Sequence, residues 1–270
     1  MATRSWIVPG PSQHEITDVA RLRVQLVAGA VEVRTHDAPH VWVDVTDVSG
    51  NPLEMTVEGD RLTIGYPAIG WDGWVKRLTS YSSSDSARLT VHVPAATETS
   101  VATASAAVAI TDVAEDLRLN TAAGSVEVTG CHGAATIRSA SGRVTVTGQH
   151  GPVTVSTAAG RARVDGDVPR ASVTTVAGAV EVTTTAETSK VDVATVSGAM
   201  RVVLPPGTGV SLSARTVSGA VRLDGQDRKS TGFGATTIEE RTEGGICFLG
   251  ARSVSGDLDV TRVAPALPGS

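Results

Sequence analysis

Four side chains of types that bind zinc or copper lie in predicted turns of this sequence: Cys131, His132, His150 and Asp167. His132 and His150 each follow by eight residues a glycine of a recurring motif, Gly124 and Gly142. If copies of the motif stack as neighbouring strands, the two imidazoles would lie roughly 5 Å apart. The group would then suit a weak Zn²⁺ or Cu²⁺ site. The alternative is a pair of exposed turn histidines.

Catalytic motifs are absent from the sequence. It contains no nucleophile elbow, phosphate-binding loop, dinucleotide fingerprint, zinc-protease motif or calcium-binding repeat. His36 and His40, with Asp37, form a still less specific group in a turn. The acids predicted to face outward are scattered and interleaved with arginine. We therefore expect no cofactor and no enzymatic activity; a solenoid polysaccharide hydrolase or lyase remains as an alternative.

Aromatic residues make up only 3% of the chain and gather in one segment, residues 67–86. This segment contains Trp71, Trp74 and Tyr81 and is predicted to be a surface excursion between strands. Tryptophan and tyrosine are frequent contact residues in protein interfaces. The segment could therefore contact a protein partner or a sugar, or it could be a lid over a sheet face.

The composition favours a thin β-structure. Val, Ala, Thr, Ser and Gly dominate the 270 residues, and Val and Thr favour strands. A core of Val and Ala suits a stack in which each layer is covered by its neighbours. The net charge of −5 is spread without a basic block, so no nucleic-acid partner is expected.

The central observation is a repeat of the form (Thr/Ser)-x-(Ala/Ser)-Gly followed by alternating apolar residues. Its glycines recur every eighteen residues from 124 to 178, then after twenty, twenty-one and thirty-seven residues. The copies begin with TAAGSVEV at 121–128 and end with SVSGDLDV at 253–260, and TASAAVAI at 103–110 is a degenerate first copy. A constant period of about twenty residues indicates a solenoid.

Each repeat contains two short strands, one before and one after the glycine. In both strands apolar and polar residues alternate, as in Val126-Glu127-Val128 and Leu117-Arg118-Leu119, which is typical of half-buried strands. We expect Val and Leu to face inward. The outward residues Arg163, Glu181 and Arg201 should be successive neighbours of alternating sign.

The motif also predicts the geometry of the corner between the two strands. Glycine is expected where the chain bends sharply and a Cβ would collide. The Thr or Ser three places earlier should form a ladder of hydroxyls along the stack. The alternative is that this Thr is simply a good strand former.

The sequence predicts an all-β, single-stranded β-solenoid of about eighteen-residue, two-strand rungs with an N-terminal β-rich cap. Residues 1–13 form an extension, 14–98 the cap, 99–263 the solenoid with a possible insertion at 224–245, and 264–270 a flexible tail. VAGAVEV at 27–33 echoes the repeat. We therefore expect the cap to pair onto the first rung and cover its open edge.

The repeated (T/S)-(V/A)-(S/A)-G-x-V-x-V motif, with RLTVHVPA before its first copy, resembles the DUF4097 family of β-strand repeat proteins labelled "putative adhesin". The resemblance spans roughly residues 15–263. It implies a β-solenoid-like fold with no established activity, substrate or catalytic residue.

These observations favour a non-catalytic structural or protein-interaction protein that binds a protein partner or copies of itself. The first alternative is a carbohydrate-binding or adhesive surface module, and the second is the solenoid hydrolase or lyase. No apolar run approaches the ~20 residues that cross a bilayer. No secretory signal is recognisable, so we expect a cytoplasmic location; the alternative is a surface location reached by a non-classical export route.

Overall fold

The computed structural model describes residues 3–66, 85–228 and 245–262, together with the backbone of 235–240. Every regular element within these ranges is a β-strand, which confirms the all-β prediction. The chain divides into two compact units, Met1–Gly142 and Arg143–Ser270. Each unit consists of two sheets, because the two strands of every rung enter different sheets.

The strands of the first unit follow one another closely along the chain. They are β1 (Thr3–Val8), β2 (Ser12–Ile16), β3 (Arg21–Leu26), β4 (Ala28–His36), β5 (Val41–Ser49), β6 (Leu53–Glu58), β7 (Arg61–Gly65), β8 (Ser86–Pro94), β9 (Glu98–Thr103), β10 (Ala107–Thr111), β11 (Leu117–Ala123), β12 (Val126–Thr129) and β13 (Ala135–Ser141).

In the first unit one sheet has the order β1-β6-β7-β3-β9-β11-β13 and the other β2-β5-β8-β4-β10-β12. The rungs from β3 and β4 onward pair in parallel, whereas β1, β2, β5 and β6 pair antiparallel at the outer side. Strand β4 pairs in register with β10, with Val31 opposite Val108 and Val33 opposite Ile110. The prediction that the N-terminal part pairs onto the repeats is therefore confirmed.

The second unit contains the remaining strands. They are β14 (Val144–His150), β15 (Val153–Ala159), β16 (Ala162–Asp167), β17 (Arg170–Ala177), β18 (Val180–Thr184), β19 (Ser189–Ser197), β20 (Met200–Leu204), β21 (Gly209–Ser218), β22 (Val221–Leu223), β23 (Gln226–Asp227), β24 (Ala235–Glu240), β25 (Ile246–Ser255) and β26 (Leu258–Arg262).

The rungs of the second unit are not stacked in the order of the sequence. One sheet has the order β15-β17-β19-β25-β21-β24 and the other β14-β16-β18-β20-β26-β22-β23. The last rung, β25 and β26, therefore lies between the β19–β20 and β21–β22 rungs. The thirty-seven-residue step to Gly256 thus leads back into the stack and ends in a genuine rung. Strands β23 and β24 pair antiparallel at the outer side.

The predicted alternation of faces is confirmed in both strands of the repeat. After the corner, Val126, Val128, Val180 and Val182 are at most 2% exposed. Before the corner, Leu117, Leu119, Val191 and Val193 are buried to the same extent. Each such aliphatic side chain contributes roughly 1.5–3 kcal/mol when it leaves water. The core of each unit is therefore a narrow aliphatic column.

The corner between the two strands requires glycine for two reasons. Gly178 has a φ of +143°, in the region that disfavours side chains. A Cβ at this position would also lie 1.8 Å from the carbonyl oxygen of Gly160 in the adjacent rung. The recurring glycine thus allows successive corners to approach each other at the spacing of paired strands.

Candidate functional site

Four large apolar side chains stand exposed in one row at the corner of the second unit. They follow the Thr or Ser of the motif in four neighbouring rungs: Val176 (52% exposed), Val196 (47%), Val254 (49%) and Val217 (80%). The residues on both sides of each valine are paired in register across β17, β19, β25 and β21. The valines therefore succeed one another at the strand spacing of ~4.8 Å. We call this row the valine ridge.

The surface beside the valine ridge is made of small residues. The next position along each rung is occupied by Ala177, Ser197, Ser255 and Ser218, all exposed, and the corner glycine follows. After the glycine come Ala179, Ala199, Asp257 and Ala220. A nearly charge-free strip thus borders the ridge. Contiguous exposed apolar residues are a mark of protein-contact surfaces.

The Thr or Ser that precedes the corner forms a buried column, as the ladder prediction requires, but its hydrogen bonds vary along the chain. Thr103 donates a hydroxyl hydrogen bond to Thr121 at 3.0 Å. Ser139 instead donates to the carbonyl oxygen of Ser141, and Thr157 to that of Ala159. Within the described ranges, four further hydroxyls have no hydrogen-bond partner: those of Thr175, Thr195, Thr216 and Ser253.

The outward face of the strands β16-β18-β20-β26-β22-β23 carries an alternating row of charges. Arg163 lies opposite Glu181, and Glu181 lies opposite Arg201, which confirms the predicted alternation. The row then continues through Asp259, Arg222 and Asp227. The inserted rung places Asp259 between Arg201 and Arg222, and Asp227 pairs with Arg222 across β22 and β23. Oppositely charged neighbours favour this register of the strands.

The candidate metal ligands occupy different environments. The Cys131 thiol is 1% exposed and contacts the carbonyl oxygen of Thr129 at 3.8 Å. Burial raises the pKa of this thiol, which favours the protonated form over the thiolate that binds metals. His150 Nδ1 lies 4.0 Å from Asp167 Oδ2 on the adjacent strand. In the described ranges, no group of three His, Cys, Asp or Glu residues is placed to hold a metal ion.

The predicted aromatic contact segment and the predicted histidine pair differ in what the structure describes. Trp71, Trp74 and Tyr81 lie outside the described residues, so the assignment of this segment as a contact or a lid stays a prediction. In the structure, His92 lies beside the pair of His36 and His40. The ring centroid of His36 lies 5.5 Å from that of His40 and 5.9 Å from that of His92.

The valine ridge was not predicted from the sequence, although a change within the repeated motif indicates it. The residue after the motif Thr or Ser is Ala in TAAG, SASG and TAAG at 121–160. It becomes Val in TVAG, TVSG, TVSG and SVSG from 175 onward. Since outward positions of a half-buried strand are expected to be polar, a block of valines at such a position marks a surface feature.

Stacked parallel rungs with glycine corners define a β-solenoid repeat protein. The chain belongs to the family described as Toastrack DUF4097, whose model matches residues 19–261. The family resemblance inferred from the motif is therefore confirmed. No curated protein sequence matches the chain significantly.

Several solved structures are similar at low sequence identity. A putative adhesin from Bacteroides fragilis is 10% identical, with 96% of this chain and 97% of that chain covered and a TM-score of 0.49. A putative lipid binding protein from Parabacteroides distasonis is 14% identical, with 95% and 98% covered and a TM-score of 0.43. A putative cell adhesion protein from Clostridium sporogenes is 11% identical, with 94% and 100% covered and a TM-score of 0.32.

The described residues contain no helix with the length and apolarity that a membrane span needs.

Proposed function

We propose that this chain is a non-catalytic interaction protein that associates with a second copy of itself through the valine ridge. The observation that carries the proposal is the in-register exposure of Val176, Val196, Val254 and Val217 on neighbouring strands. Large apolar side chains that are exposed singly are ordinary, whereas a contiguous row of them marks a contact surface.

The spacing of the ridge favours a second copy over an unrelated partner. A two-fold axis would bring the same row of valines from both copies together, as in an isologous interface. Because both rows then have the same ~4.8 Å repeat, each valine could fit between two valines of the partner along the whole row. The flanking serines and alanines are small enough to allow close approach.

The size of the valine ridge determines how strongly two copies of the chain should associate. A stable complex buries about 800 Å² on each partner. Four valines that are already partly covered supply only a fraction of this area. We therefore expect weak association that depends on concentration.

The charge pattern supports a non-catalytic role. A glycoside hydrolase needs two carboxyl groups that face one bond. On the outward face, Glu181 lies between Arg163 and Arg201, and Asp259 lies between Arg201 and Arg222. These two acids therefore both lie between arginines in an alternating row of charges. The carbohydrate-binding alternative relied on Trp71 and Trp74 and stays a prediction, as does the cytoplasmic location, which fractionation of the native cells would check.

Sedimentation velocity over a wide concentration range tests the proposal. The wild-type chain should shift towards dimer as its concentration rises, and the double variant Val196→Ser, Val254→Ser should stay monomeric. The matched control is Ile7→Ser, which removes an equally apolar residue that is 73% exposed away from the ridge. Ile7→Ser should associate like the wild type.

Two results would contradict the proposal. One is a wild-type chain that stays monomeric at the highest concentration. The other is association that persists unchanged in the ridge variant, because the contact would then lie elsewhere. Far-UV circular dichroism should be unchanged in both variants, since all three side chains lie outside the buried core and are about half exposed or more.

A further inference from the structure

Three arginines frame a depression on the outward face of the second unit. Arg143 and Arg161 follow the corner glycines of two adjacent rungs, and Arg163 lies one outward position further along β16. The amide of Val144 donates to the carbonyl oxygen of Arg161 at 2.9 Å, which holds the two chain segments side by side. The depression has a volume of about 590 Å³. We call the three side chains the arginine cradle.

Two threonines, Thr145 and Thr147, line the same depression. Thr145 is paired with Arg163 across β14 and β16, and Thr147 lies one outward position further on. A hydroxyl can donate one hydrogen bond to an anion. The depression therefore offers hydroxyl donors beside guanidinium donors.

Among the residues that the structure describes, no ion pair holds the guanidinium groups of the cradle, although Glu181 lies opposite Arg163 on the adjacent strand. In the described part of the chain, none of the three guanidinium groups forms a hydrogen bond or an ion pair. Arg21 of the first unit differs in this respect, because Asp60 binds its guanidinium group. The like charges of Arg143 and Arg161 on adjacent rungs repel one another, so an anion bound between them would relieve this repulsion.

The remaining lining residues limit the size of the ligand. Asp165 and Glu181 line the same depression as the cradle. An extended polyanion would bring negative charge against these carboxylates, whereas a compact anion could stay among the arginines. A guanidinium group presents several N–H donors in a fixed plane. Two or three such groups around a small anion can donate hydrogen bonds to the tetrahedrally arranged oxygens of phosphate or sulfate.

We propose that the arginine cradle binds the phosphate or sulfate group of a small monoester. Arg161 and Arg163 donate to its oxygens from one strand, Arg143 donates from the neighbouring segment, and Thr145 adds a hydroxyl donor. The cradle is held on a fixed base, because Val144, Ala162 and Val164 beneath it are fully buried. The site shares no residue with the valine ridge, and binding of an anion there needs no second copy of the chain.

Calorimetric titration and thermal unfolding test the proposal, with inorganic phosphate and sulfate as probes and sodium chloride at equal ionic strength as the reference. Phosphate or sulfate should bind the wild-type chain and raise its Tm beyond the effect of chloride. The variant Arg161→Gln, Arg163→Gln should lose about tenfold or more in affinity, the loss expected when charged hydrogen bonds are removed.

The matched control is Arg215→Gln, Arg252→Gln. These arginines are paired on adjacent strands of the other sheet and border a separate depression, so the control removes the same charge. It should bind like the wild type. Equal losses in both variants, or a wild-type response no greater than that to chloride, would overturn the proposal. If the cradle variant does not fold, Arg143→Gln provides the same comparison.

A second pair of probes separates the two sources of the anion. Glucose 6-phosphate and galactose 6-sulfate carry the two groups on similar sugars, and glucose is the uncharged control. Tighter binding of the first assigns the site to phosphate esters, and tighter binding of the second assigns it to sulfated sugars. Binding of glucose with equal affinity would contradict the assignment of the cradle as an anion site.

Discussion

Arg201 and Asp259 lie opposite each other on the adjacent parallel strands β20 and β26, with Arg201 Nη2 3.8 Å from Asp259 Oδ2. In sequence order the strand beside β20 would be β22, which would place Arg201 next to Arg222. The inserted rung places Asp259 between the two arginines instead. A like-charge contact, which would destabilise adjacent strands, is thus replaced by two favourable ones.

The first prediction concerns this pair. Asp259→Asn should lower the free energy of unfolding by about 0.2–1 kcal/mol, the range for ion pairs that are partly exposed. The effect should shrink in 1 M salt because screening weakens the interaction. Urea unfolding of the single and double variants with Arg201→Gln measures the coupling. A loss that is independent of salt would contradict an electrostatic role.

The second prediction tests the aliphatic column. Val155 is fully buried, so Val155→Asp places an unpaired carboxylate in the core. The free energy of unfolding should fall by at least about 3 kcal/mol. The neighbour Thr154 faces outward, and Thr154→Asp should change it by less than about 0.5 kcal/mol. Similar losses in the two variants would contradict the assigned faces.

The third prediction separates two reasons for glycine at the corner. Gly178→Ala combines an unfavourable φ with a collision against the Gly160 carbonyl oxygen. Gly207 has a φ of +78° but open space around it, so Gly207→Ala should cost only the strain, about 1–2 kcal/mol. Unfolding curves should show a clearly larger loss for Gly178→Ala. Equal losses would mean that neighbouring corners can move apart.

The fourth prediction tests the buried hydroxyl pair of Thr103 and Thr121. Thr121→Val leaves the Thr103 hydroxyl in the core without its acceptor and should cost about 1–3 kcal/mol. The double variant Thr103→Val, Thr121→Val removes both polar groups and should be more stable than the single variant. Urea unfolding measures both. A double variant that is less stable than the single one would show that the hydroxyls act independently.

The fifth prediction concerns the two cysteines. Burial raises the pKa of both the Cys131 and the Cys247 thiol, so the reactive thiolate is depleted at neutral and mildly alkaline pH. A colorimetric thiol reagent at pH 8 should react slowly with the folded chain and rapidly in urea. Reaction at the rate of a small free thiol under native conditions would contradict the burial of these side chains.

The sequence was sufficient to predict the faces of the strands and the role of the corner. Period-two alternation assigns Val126 and Val128 to the core whatever their neighbours are, because one face of each strand must be buried. Gly178 is likewise predictable, since the motif repeats the same bend. The buried Thr column was predicted as a ladder, but spacing alone does not distinguish the Thr103–Thr121 bond from the bond of Thr157 to a backbone carbonyl.

The stacking order could not be obtained from the same signals. The rungs that contain Val202, Val221 and Val260 present nearly identical inward faces, so burial alone does not distinguish their neighbours. The order is instead reflected in the outward charges of Arg201, Asp259 and Arg222. The sequence of side chains along the valine ridge follows this order, with Val254 between Val196 and Val217.

The inserted rung has a consequence for how the chain reaches its folded state during synthesis. Domains begin to fold while the chain is still emerging from the ribosome, and most repeats here could join the end of a growing array. The β21–β22 rung cannot dock on β19–β20 in its final position, because residues 246–262 must occupy the space between them. A chain released before these residues would expose two parallel edges within its second unit, and such unpaired edges promote aggregation. The second unit can therefore assemble correctly only after residues 246–262 have been synthesised.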